Sequence, residues 1–385
     1  MVLGRKNMEE EQNVDYTDML SICPQALEVY QQRGLNDVIA AYDIGNILST
    51  NHFYAEAAFL FKLAFNMHSK SPSEYPLCHI LWMIRMVALL KGNFPIKDEE
   101  LEQLKGLSLP FYNYIVGWKQ YKENKDAFSA LSVMQNCYEE FPTGEEADRT
   151  YISIMMDLFN TDSKLSVEGR SYSTGMQATI PNNLFMYWDQ NPPPEIVENF
   201  EYHQRLGHFN LKIFNKAEAS DWLYQQYGVE ARHLFLSARH PAEAADFLRV
   251  HVINHYGGWW LDADIRIKSI DQFYSVIPMV YDHVFLLTDN YVVHNDFFGS
   301  IPNSPILNEC IRTLYHNCYV NRDMFIAYKT GPGIFNRGIN RTLYHCLKGE
   351  GKRPSFIMLD YNQFWDVIDD FETPYKTASQ HWMAS

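Results

Sequence analysis

Apolar residues recur at helical spacing over the first part of the chain, from Tyr16 to about Leu165, a period typical of amphipathic helices. This pattern predicts an all-helical domain over residues 15–165. A stretch rich in Ser, Gly and Thr at residues 161–176 predicts a linker. Beyond it, short apolar runs alternate with longer amphipathic stretches, so a second domain is expected over residues 178–385.

The second part of the chain has the alternation of strands and helices that is typical of α/β proteins. The predicted strands lie at residues 185–188, 211–215 and 259–262, and the predicted helices at residues 195–206, 217–227 and 242–255. Ligands of such sheets bind beyond the carboxyl ends of the strands. The residues that follow the third strand therefore lie where a ligand is expected.

In the helical part, small and aromatic residues recur at the spacing by which paired helices pack. One set is spaced by 12, 4 and 3 residues, around a turn at Asn51-His52: Gly45, Ala57, Phe61 and Ala64. A second set is spaced by 13, 4 and 3 residues: Gly117, Ala130, Met134 and Cys137. The spacing resembles that of tetratricopeptide repeats, and a further helix pair is expected at residues 77–90 and 98–107. A nonrepetitive helical bundle is the alternative.

Composition and charge exclude several classes of protein. A formal net charge of −15 and a pI near 5.4 argue against electrostatic binding to nucleic acid or to an anionic membrane surface. No run approaches the roughly 18 apolar residues of a transmembrane helix, and the first residues contain no apolar core of a signal peptide. Six cysteines without a CxxC spacing are expected to be free thiols. We therefore expect a cytoplasmic protein, with peripheral membrane attachment left open.

Two aspartates, Asp262 and Asp264, follow a glycine pair and a hydrophobic run. Residues i and i+2 of an extended segment point the same way, so both carboxylates are expected on one side. Because like charges this close repel unless a cation lies between them, the pair favours Mg²⁺ or Mn²⁺, which bind through one or two carboxylates and substrate phosphates. The pattern predicts a metal–diphosphate site, and ordinary turn residues are the alternative.

Upstream of this pair, a helix that begins near Pro241 carries Asp246 and Arg249 on one face. The string Ala245-Asp246-x-x-Arg249 through Gly257-Gly258-x-x-x-Asp262-x-Asp264 resembles the DXD glycosyltransferases of the sugar-binding-region family. That family includes yeast-type initiating mannosyltransferases, bacterial polysaccharide and capsule transferases and, more distantly, clostridial glucosylating toxins. Further matching segments are Ile180-Pro181 to Trp188, Asn295-Asp296-Phe297-Phe298-Gly299, Thr330-Gly331-Pro332-Gly333 and Gln380-His381-Trp382. The resemblance covers roughly residues 178–385.

The resemblance implies a GT-A-like, nucleotide-sugar-binding α/β fold and assigns roles to individual residues. It implies that Trp188 stacks on the nucleotide base. The donor-binding residues implied are Tyr187, Trp188, Asp246, Arg249, Gly258, Asp262 and Asn295. The catalytic residues implied are Asp246, Arg249, Asp262 and Asp264, and the metal ligands are Asp264, Asp262 and His381.

The function that the resemblance implies is retaining, Mn²⁺- or Mg²⁺-dependent transfer of a sugar from a nucleotide sugar, a UDP-sugar above all, to a saccharide or protein acceptor. The helical domain is expected to select the acceptor or a partner protein. Two alternatives stay open. One is a noncatalytic sugar-binding or scaffold protein, which the intact set of acidic and basic residues argues against. The other is a metal-dependent nucleotidyl or phosphoryl transferase, whose usual glycine-rich phosphate loop is not evident.

Overall fold

A computed structural model describes residues 15–167, 179–350, 354–374 and 376. Within them the chain divides into two compact units, one ending at Cys137 and the other beginning at Tyr138. In this described part no helix is long and apolar enough to cross a bilayer, and the six cysteines are unpaired. The cytoplasmic location stays a prediction.

The first unit is helical. Its helices are α1 (Thr17–Leu20), α2 (Pro24–Arg33), α3 (Val38–Thr50), α4 (Tyr54–Lys70), α5 (Cys78–Lys91), α6 (Asp98–Leu107), α7 (Leu109–Asn124) and α8 (Ala127–Met134), followed by a 3₁₀ turn at Cys137–Glu140. Helix α3 begins at the N-cap Asp37, whose side chain accepts from the Ala40 N–H and so satisfies one of the free amide groups of the first turn.

The predicted helix pairs are present. Helices α3 and α4 are joined at residues 51–53, where the turn was expected, and a Cβ atom at Gly45 would lie 2.6 Å from the Phe61 ring. Gly117 of α7 packs in the same way on α8, because a Cβ atom there would lie 2.4 Å from Met134 Cγ. A side chain at either glycine would therefore push its two helices apart. The assignment of these pairs to tetratricopeptide repeats stays a prediction.

The second unit is mixed α/β. Its helices are α9 (Glu146–Val167), α10 (Pro194–Leu206), α11 (Lys216–Tyr227), α12 (Val229–Leu236), α13 (Pro241–Tyr256), α14 (Ile270–Val276), α15 (Pro305–Val320), α16 (Ile326–Lys329), α17 (Pro332–Leu347) and α18 (Tyr361–Val367). Its strands are β1 (Asn183–Tyr187), β2 (Asn210–Phe214), β3 (Gly258–Leu261), β4 (Arg266–Ile267), β5 (His283–Leu286), β6 (Phe297–Ser300), β7 (Phe356–Leu359) and β8 (Ile368–Asp369).

In the described residues, β2, β1, β3, β6, β5 and β7 form one sheet in that order, and β4 pairs with β8 in a second. The pairs of the large sheet are parallel except for those of β6, which runs antiparallel to both neighbours. This mostly parallel sheet confirms the α/β expectation, and the three predicted strands are β1, β2 and β3. The finer GT-A assignment stays a prediction.

Both faces of the sheet are buried, as parallel strands require. Leu184 and Trp259 point to one face, where they belong to the largest core cluster, together with Phe273 of α14. The alternate residue Trp260 points to the other face, towards α13, and its ring lies 5.5 Å from the Arg249 guanidinium. The tryptophan pair is fully buried, which confirms that it forms core and pocket wall.

Helix α9 belongs to the second unit, whereas the sequence pattern assigned residues 138–165 to the helical domain. Its Asp148 is fully buried and accepts hydrogen bonds from Arg337 and Asn340 of α17. An amphipathic period shows that one face of a helix is buried but not what covers it, so the pattern could not locate this boundary. The predicted linker at residues 161–176 is helical up to Val167 and beyond it lies outside the described residues.

Candidate active site

The glycine pair between α13 and β3 turns the chain from the helix into the sheet. Gly257 ends α13 with φ +64°, and Gly258 follows with φ +121°, backbone conformations that L residues rarely adopt. A Cβ atom at Gly258 would lie 2.6 Å from the Asn183 carbonyl oxygen of β1. Gly258 therefore allows β1 and β3 to pair. It stands at the start of β3, at the other end of the strand from Asp262, and its donor-binding role stays a prediction.

Arg249 of α13 is the centre of a buried polar cluster at the carboxyl end of β3. Its guanidinium is 2% exposed. Nη2 donates to both carboxylate oxygens of Asp262, at 3.0 and 3.2 Å, and lies 3.2 Å from Asp246 Oδ1. Nη1 donates to the Asn295 carbonyl oxygen at 2.7 Å. The structure therefore brings together four of the residues that the sequence singled out.

Asp246 is held from several sides. Its Oδ1 accepts from Asn295 Nδ2 at 2.8 Å, and its Oδ2 accepts from Thr330 Oγ1 at 2.9 Å. Thr330 lies in the Thr-Gly-Pro-Gly segment that resembles the family's turn, but the sequence did not show that its hydroxyl binds Asp246. Next to it, the buried Lys329 is paired with Glu243 of α13. The cluster is thus fixed by α13, by the residues before β6 and by the turn before α17.

The two aspartates of the DXD pair do not lie on an extended segment. The chain turns after β3, with the Ile265 N–H donating to the Asp262 carbonyl. Asp262 faces Arg249 and also accepts from Trp260 Nε1 at 2.6 Å. Asp264 instead lies 3.0 Å from Lys376 Nζ. The expectation of an extended pair thus differs from the structure, because the period of a strand ends with the strand.

A third aspartate, Asp296, stands opposite the DXD pair. It precedes β6, which is antiparallel to β3, and its carbonyl accepts from the Asp262 N–H at 2.8 Å. Its side chain is 30% exposed and contacts His294 Nδ1 at 3.1 Å. Sequence reasoning weighed this residue only as a helix end or loop cap. The antiparallel register of β6, which places it beside Asp262, was not predictable from local spacing.

A buried asparagine holds the turn that carries the DXD pair. Asn199 of α10 donates from Nδ2 to the carbonyl oxygens of Ala263 and Ile265, both at 2.9 Å. One turn later His203 Nε2 accepts from the Ile267 N–H at 3.2 Å. These side chains fix the main chain on both sides of Asp264. Sequence reasoning missed them, because they lie more than sixty residues from their partners.

Burial and crowding set the electrostatics of the cluster. Burial raises the pKa of Asp246 to about 6, although Arg249 opposes the shift. Burial also raises the pKa of Asp262, reinforced by Asp264 and Asp296 and opposed by Arg249. Each direction is the expected one for carboxyl groups with more negative than positive neighbours. A bound cation would relieve this excess of negative charge.

A cleft of about 760 Å³ opens at the carboxyl ends of β1 and β2, and Trp188 is part of its wall. Continuing the β1–β3 register by two residues places Tyr187 level with Asp262, one strand spacing of about 5 Å away. The cleft therefore adjoins the polar cluster. Tyr187 itself is buried and donates through its hydroxyl to Asp189 of the cleft wall at 2.7 Å.

The described residues contain no group of three or more His, Cys, Asp or Glu side chains arranged to hold a metal ion. A divalent cation with substrate phosphates needs only one or two carboxylates from the protein, and Asp264, with a side chain 28% exposed, fits that part. Asp262 already accepts from Arg249 and Trp260, which leaves few of the roughly four acceptor positions of a carboxylate. The predicted ligand His381 lies outside the described residues.

No protein-family model matches the chain. Mannosyl phosphorylinositol ceramide synthase CSH1 of Saccharomyces cerevisiae (strain ATCC 204508 / S288c) is 32% identical over 119 residues, which are 30% of this chain and 30% of that protein. Mannosyl phosphorylinositol ceramide synthase SUR1 of the same organism is 30% identical over 100 residues, 26% of this chain and 24% of that protein. The chain thus matches less than a third of the length of either relative.

Among solved structures, PaToxG Glycosyltransferase is similar over 51% of this chain and 79% of that chain, with 16% identity and a TM-score of 0.36. At that score the likeness does not establish a shared fold. The yeast similarities support glycosyltransferase as the class of enzyme.

Proposed function

We propose that the second unit is a retaining, metal-dependent glycosyltransferase that moves a sugar from a nucleotide sugar, a UDP-sugar above all, to a saccharide or protein acceptor. The observation that carries this proposal is the buried cluster of Asp246, Arg249 and Asp262 at the carboxyl end of β3, beside the cleft that opens after β1 and β2. Ligands of α/β sheets bind at this edge.

In this proposal the cleft takes the nucleoside. Its wall combines the indole of Trp188 with Ile213 and Phe214, and its charged groups are of both signs, with Lys216 3.4 Å from Asp189. Such a surface suits a flat, neutral base with polar edges better than it suits a phosphate. Stacking on an aromatic side chain is worth about 1–3 kcal/mol per base, enough to anchor the donor next to the polar cluster.

The diphosphate then falls beside Asp264. A divalent cation bound there, with Asp262 contributing through its remaining lone pair or through water, would stabilise the negative charge that develops on the leaving diphosphate. The chain's own share is to hold this acidic turn in place. Asn199 does so by binding the carbonyl groups of Ala263 and Ile265.

Asp246 and Arg249 are assigned to the sugar. Arg249 Nε is buried and has no hydrogen-bond partner among the described residues. A buried N–H without an acceptor costs about 1–3 kcal/mol, and a sugar hydroxyl or a phosphate oxygen would remove that cost. The hydrogen bonds from Thr330 and Asn295 hold Asp246 in one orientation, so its remaining lone pairs are aimed before a sugar arrives.

For the chemical step we infer a front-face substitution with an oxocarbenium-like transition state. The bond between the anomeric carbon and the diphosphate oxygen breaks, the acceptor oxygen bonds to the same face, and the departing phosphate takes the acceptor's proton. Asp262 and Asp264 are too close together to flank a glycosidic bond as the paired carboxylates of glycosidases do.

The helical first unit is assigned to acceptor or partner selection, because paired helices present extended surfaces to other chains. The yeast relatives are named as synthases of mannosyl phosphorylinositol ceramide. Mannosyl donors therefore belong in the donor screen beside UDP-sugars, and phosphorylinositol ceramide belongs among the acceptors.

The test is a screen of nucleotide sugars by thermal shift with Mn²⁺, followed by product analysis. We expect one donor to raise the unfolding temperature and to be hydrolysed slowly, with release of nucleoside diphosphate that stops on chelation and returns with Mn²⁺. Release of pyrophosphate would indicate a nucleotidyl transferase instead. Metal-dependent binding without any turnover, with or without acceptors, would indicate a noncatalytic sugar-binding protein.

A further inference from the structure

A lysine occupies the carboxylate that is best placed for a divalent cation. Lys376 Nζ lies 3.0 Å from Asp264 Oδ2, and the two side chains are 31% and 28% exposed. The partner of Asp262, by contrast, is Arg249, which is enclosed. The two aspartates of the DXD pair are therefore neutralised in different ways, one by a fixed guanidinium and one by a mobile type of side chain.

The charges at this edge of the sheet explain why a second cation is needed. Four aspartates contribute to it, and two basic side chains oppose them: Asp246, Asp262, Asp264 and Asp296 against Arg249 and Lys376. Arg249 is held by hydrogen bonds to several partners and cannot leave. Lys376 makes a partly exposed pair on a flexible four-carbon side chain with three N–H donors, so it can change partner at little cost.

We propose, on the basis of the function proposed above, that Lys376 is a further donor-binding residue that neutralises Asp264 before loading and binds the donor diphosphate afterwards. When a divalent cation takes Asp264, two cations would compete for one carboxylate, and the ammonium group is the weaker ligand. The nearest new anion is the diphosphate that arrives with the cation. An ammonium–phosphate contact is a charge-assisted hydrogen bond and among the stronger polar contacts in proteins.

The exchange predicts effects of opposite sign from a single substitution. In the full-length chain, Lys376→Met removes the competitor, so Mn²⁺ alone should bind more tightly, by about two- to fivefold for a pair that is partly exposed. The same variant loses the phosphate contact, so UDP should bind about tenfold more weakly at saturating Mn²⁺. Lys376→Arg keeps the charge and should stay close to wild type in both measurements.

The measurements are Mn²⁺ binding by electron paramagnetic resonance and UDP binding by calorimetry. Lys348→Met is the matched control, because Lys348 follows α17, a helix about 24 Å long that begins next to Thr330. It should change neither affinity. If wild type binds neither Mn²⁺ nor UDP, the proposed function itself fails.

If wild type binds both and Lys376→Met changes neither affinity, the proposal is overturned while the glycosyltransferase function stands. Tighter Mn²⁺ binding with unchanged UDP affinity would overturn the donor-binding role and leave Lys376 as a place-holder only. Weaker UDP binding with unchanged Mn²⁺ affinity would overturn the exchange at Asp264.

Discussion

The buried ion pair between Asp148 and Arg337 should decide whether the second unit folds. Arg337 donates to Asp148 from Nε at 3.0 Å and from Nη2 at 2.9 Å. Asp148 also accepts from Asn340 Nδ2 and from the Gly144 N–H, each at 3.0 Å. Asp148→Ala would therefore leave a buried guanidinium, a side-chain amide and a main-chain N–H without this acceptor.

Removing one partner of a buried pair typically costs about 3–5 kcal/mol. Arg337 keeps other acceptors, the carbonyl oxygen of Phe141 at 2.8 Å and Glu139 at 3.3 Å, so we expect the lower end, about 3 kcal/mol. Against a total stability of about 5–15 kcal/mol this is a severe loss. Asp148→Asn keeps the shape and some of the acceptor capacity and should cost less.

Hydrogen exchange measured by mass spectrometry assigns the loss to its unit. Amide groups of α17 should lose protection in Asp148→Ala, while those of α3 in the first unit should not. Asp43→Ala is the control, since Asp43 pairs with Arg33 at the surface and such pairs are worth about 0–1 kcal/mol. A change below about 1 kcal/mol in Asp148→Ala, with α17 still protected, would refute the reasoning.

The same contact bears on truncation. A chain that begins near Met176 lacks Asp148 and should not hold its fold, although the sequence pattern places the second domain from residue 178. A chain that begins at Tyr138 keeps α9 and should fold and hydrolyse the donor. If the chain from Met176 proves equally stable, α9 is dispensable and the pair with Arg337 is not a determinant of this unit.

Three further predictions address the site and its support. Asp264→Asn should abolish transfer without lowering the unfolding temperature, because its charge acts only with metal and diphosphate; an assay at saturating Mn²⁺ that retains turnover would exclude this. Trp188→Ala should weaken UDP binding by about 1–3 kcal/mol, whereas Asp246→Asn should lower turnover and spare UDP affinity; calorimetry and kinetics on both variants separate the two effects. Burial lowers the pKa of His203 from 6.5 to about 4, so the folded state takes up its proton later than the unfolded state does. Up to about 3 kcal/mol of stability, fully present above pH 6.5, should be lost as the pH falls towards 4, and denaturant titrations of His203→Gln should show a shallower loss over that window.

Local pattern predicted those parts of the site that lie on one element. Asp246 and Arg249 are three residues apart on α13, and helical geometry alone places them on one face. The glycine pair and the apolar run likewise predicted β3 and a polar pair at its end. Each of these inferences needed only the period of a helix or a strand and the turn residues at its ends.

The parts that sequence reasoning missed depend on long-range contacts. Thr330 reaches Asp246 across 84 residues, and Asn199 reaches Ala263 across 64. Asp296 becomes a neighbour of Asp262 only because β6 enters the sheet antiparallel. Periodicity carries no information on such pairings. The same limit explains why the packing partner of α9 was not foreseen.

The arrangement around Arg249 explains how the acidic residues can be concentrated before any donor is bound. One guanidinium, enclosed on the helix side, binds Asp246 and Asp262 at once, and its planar fork suits carboxylates better than a lysine would. Asp264 and Asp296 lie outward, with more exposed side chains, where water screens them. The inner carboxylates are therefore fixed in direction while the outer ones stay exchangeable. A site that must bind a metal and a diphosphate and then release a diphosphate needs this division between a rigid inner layer and an exchangeable outer one.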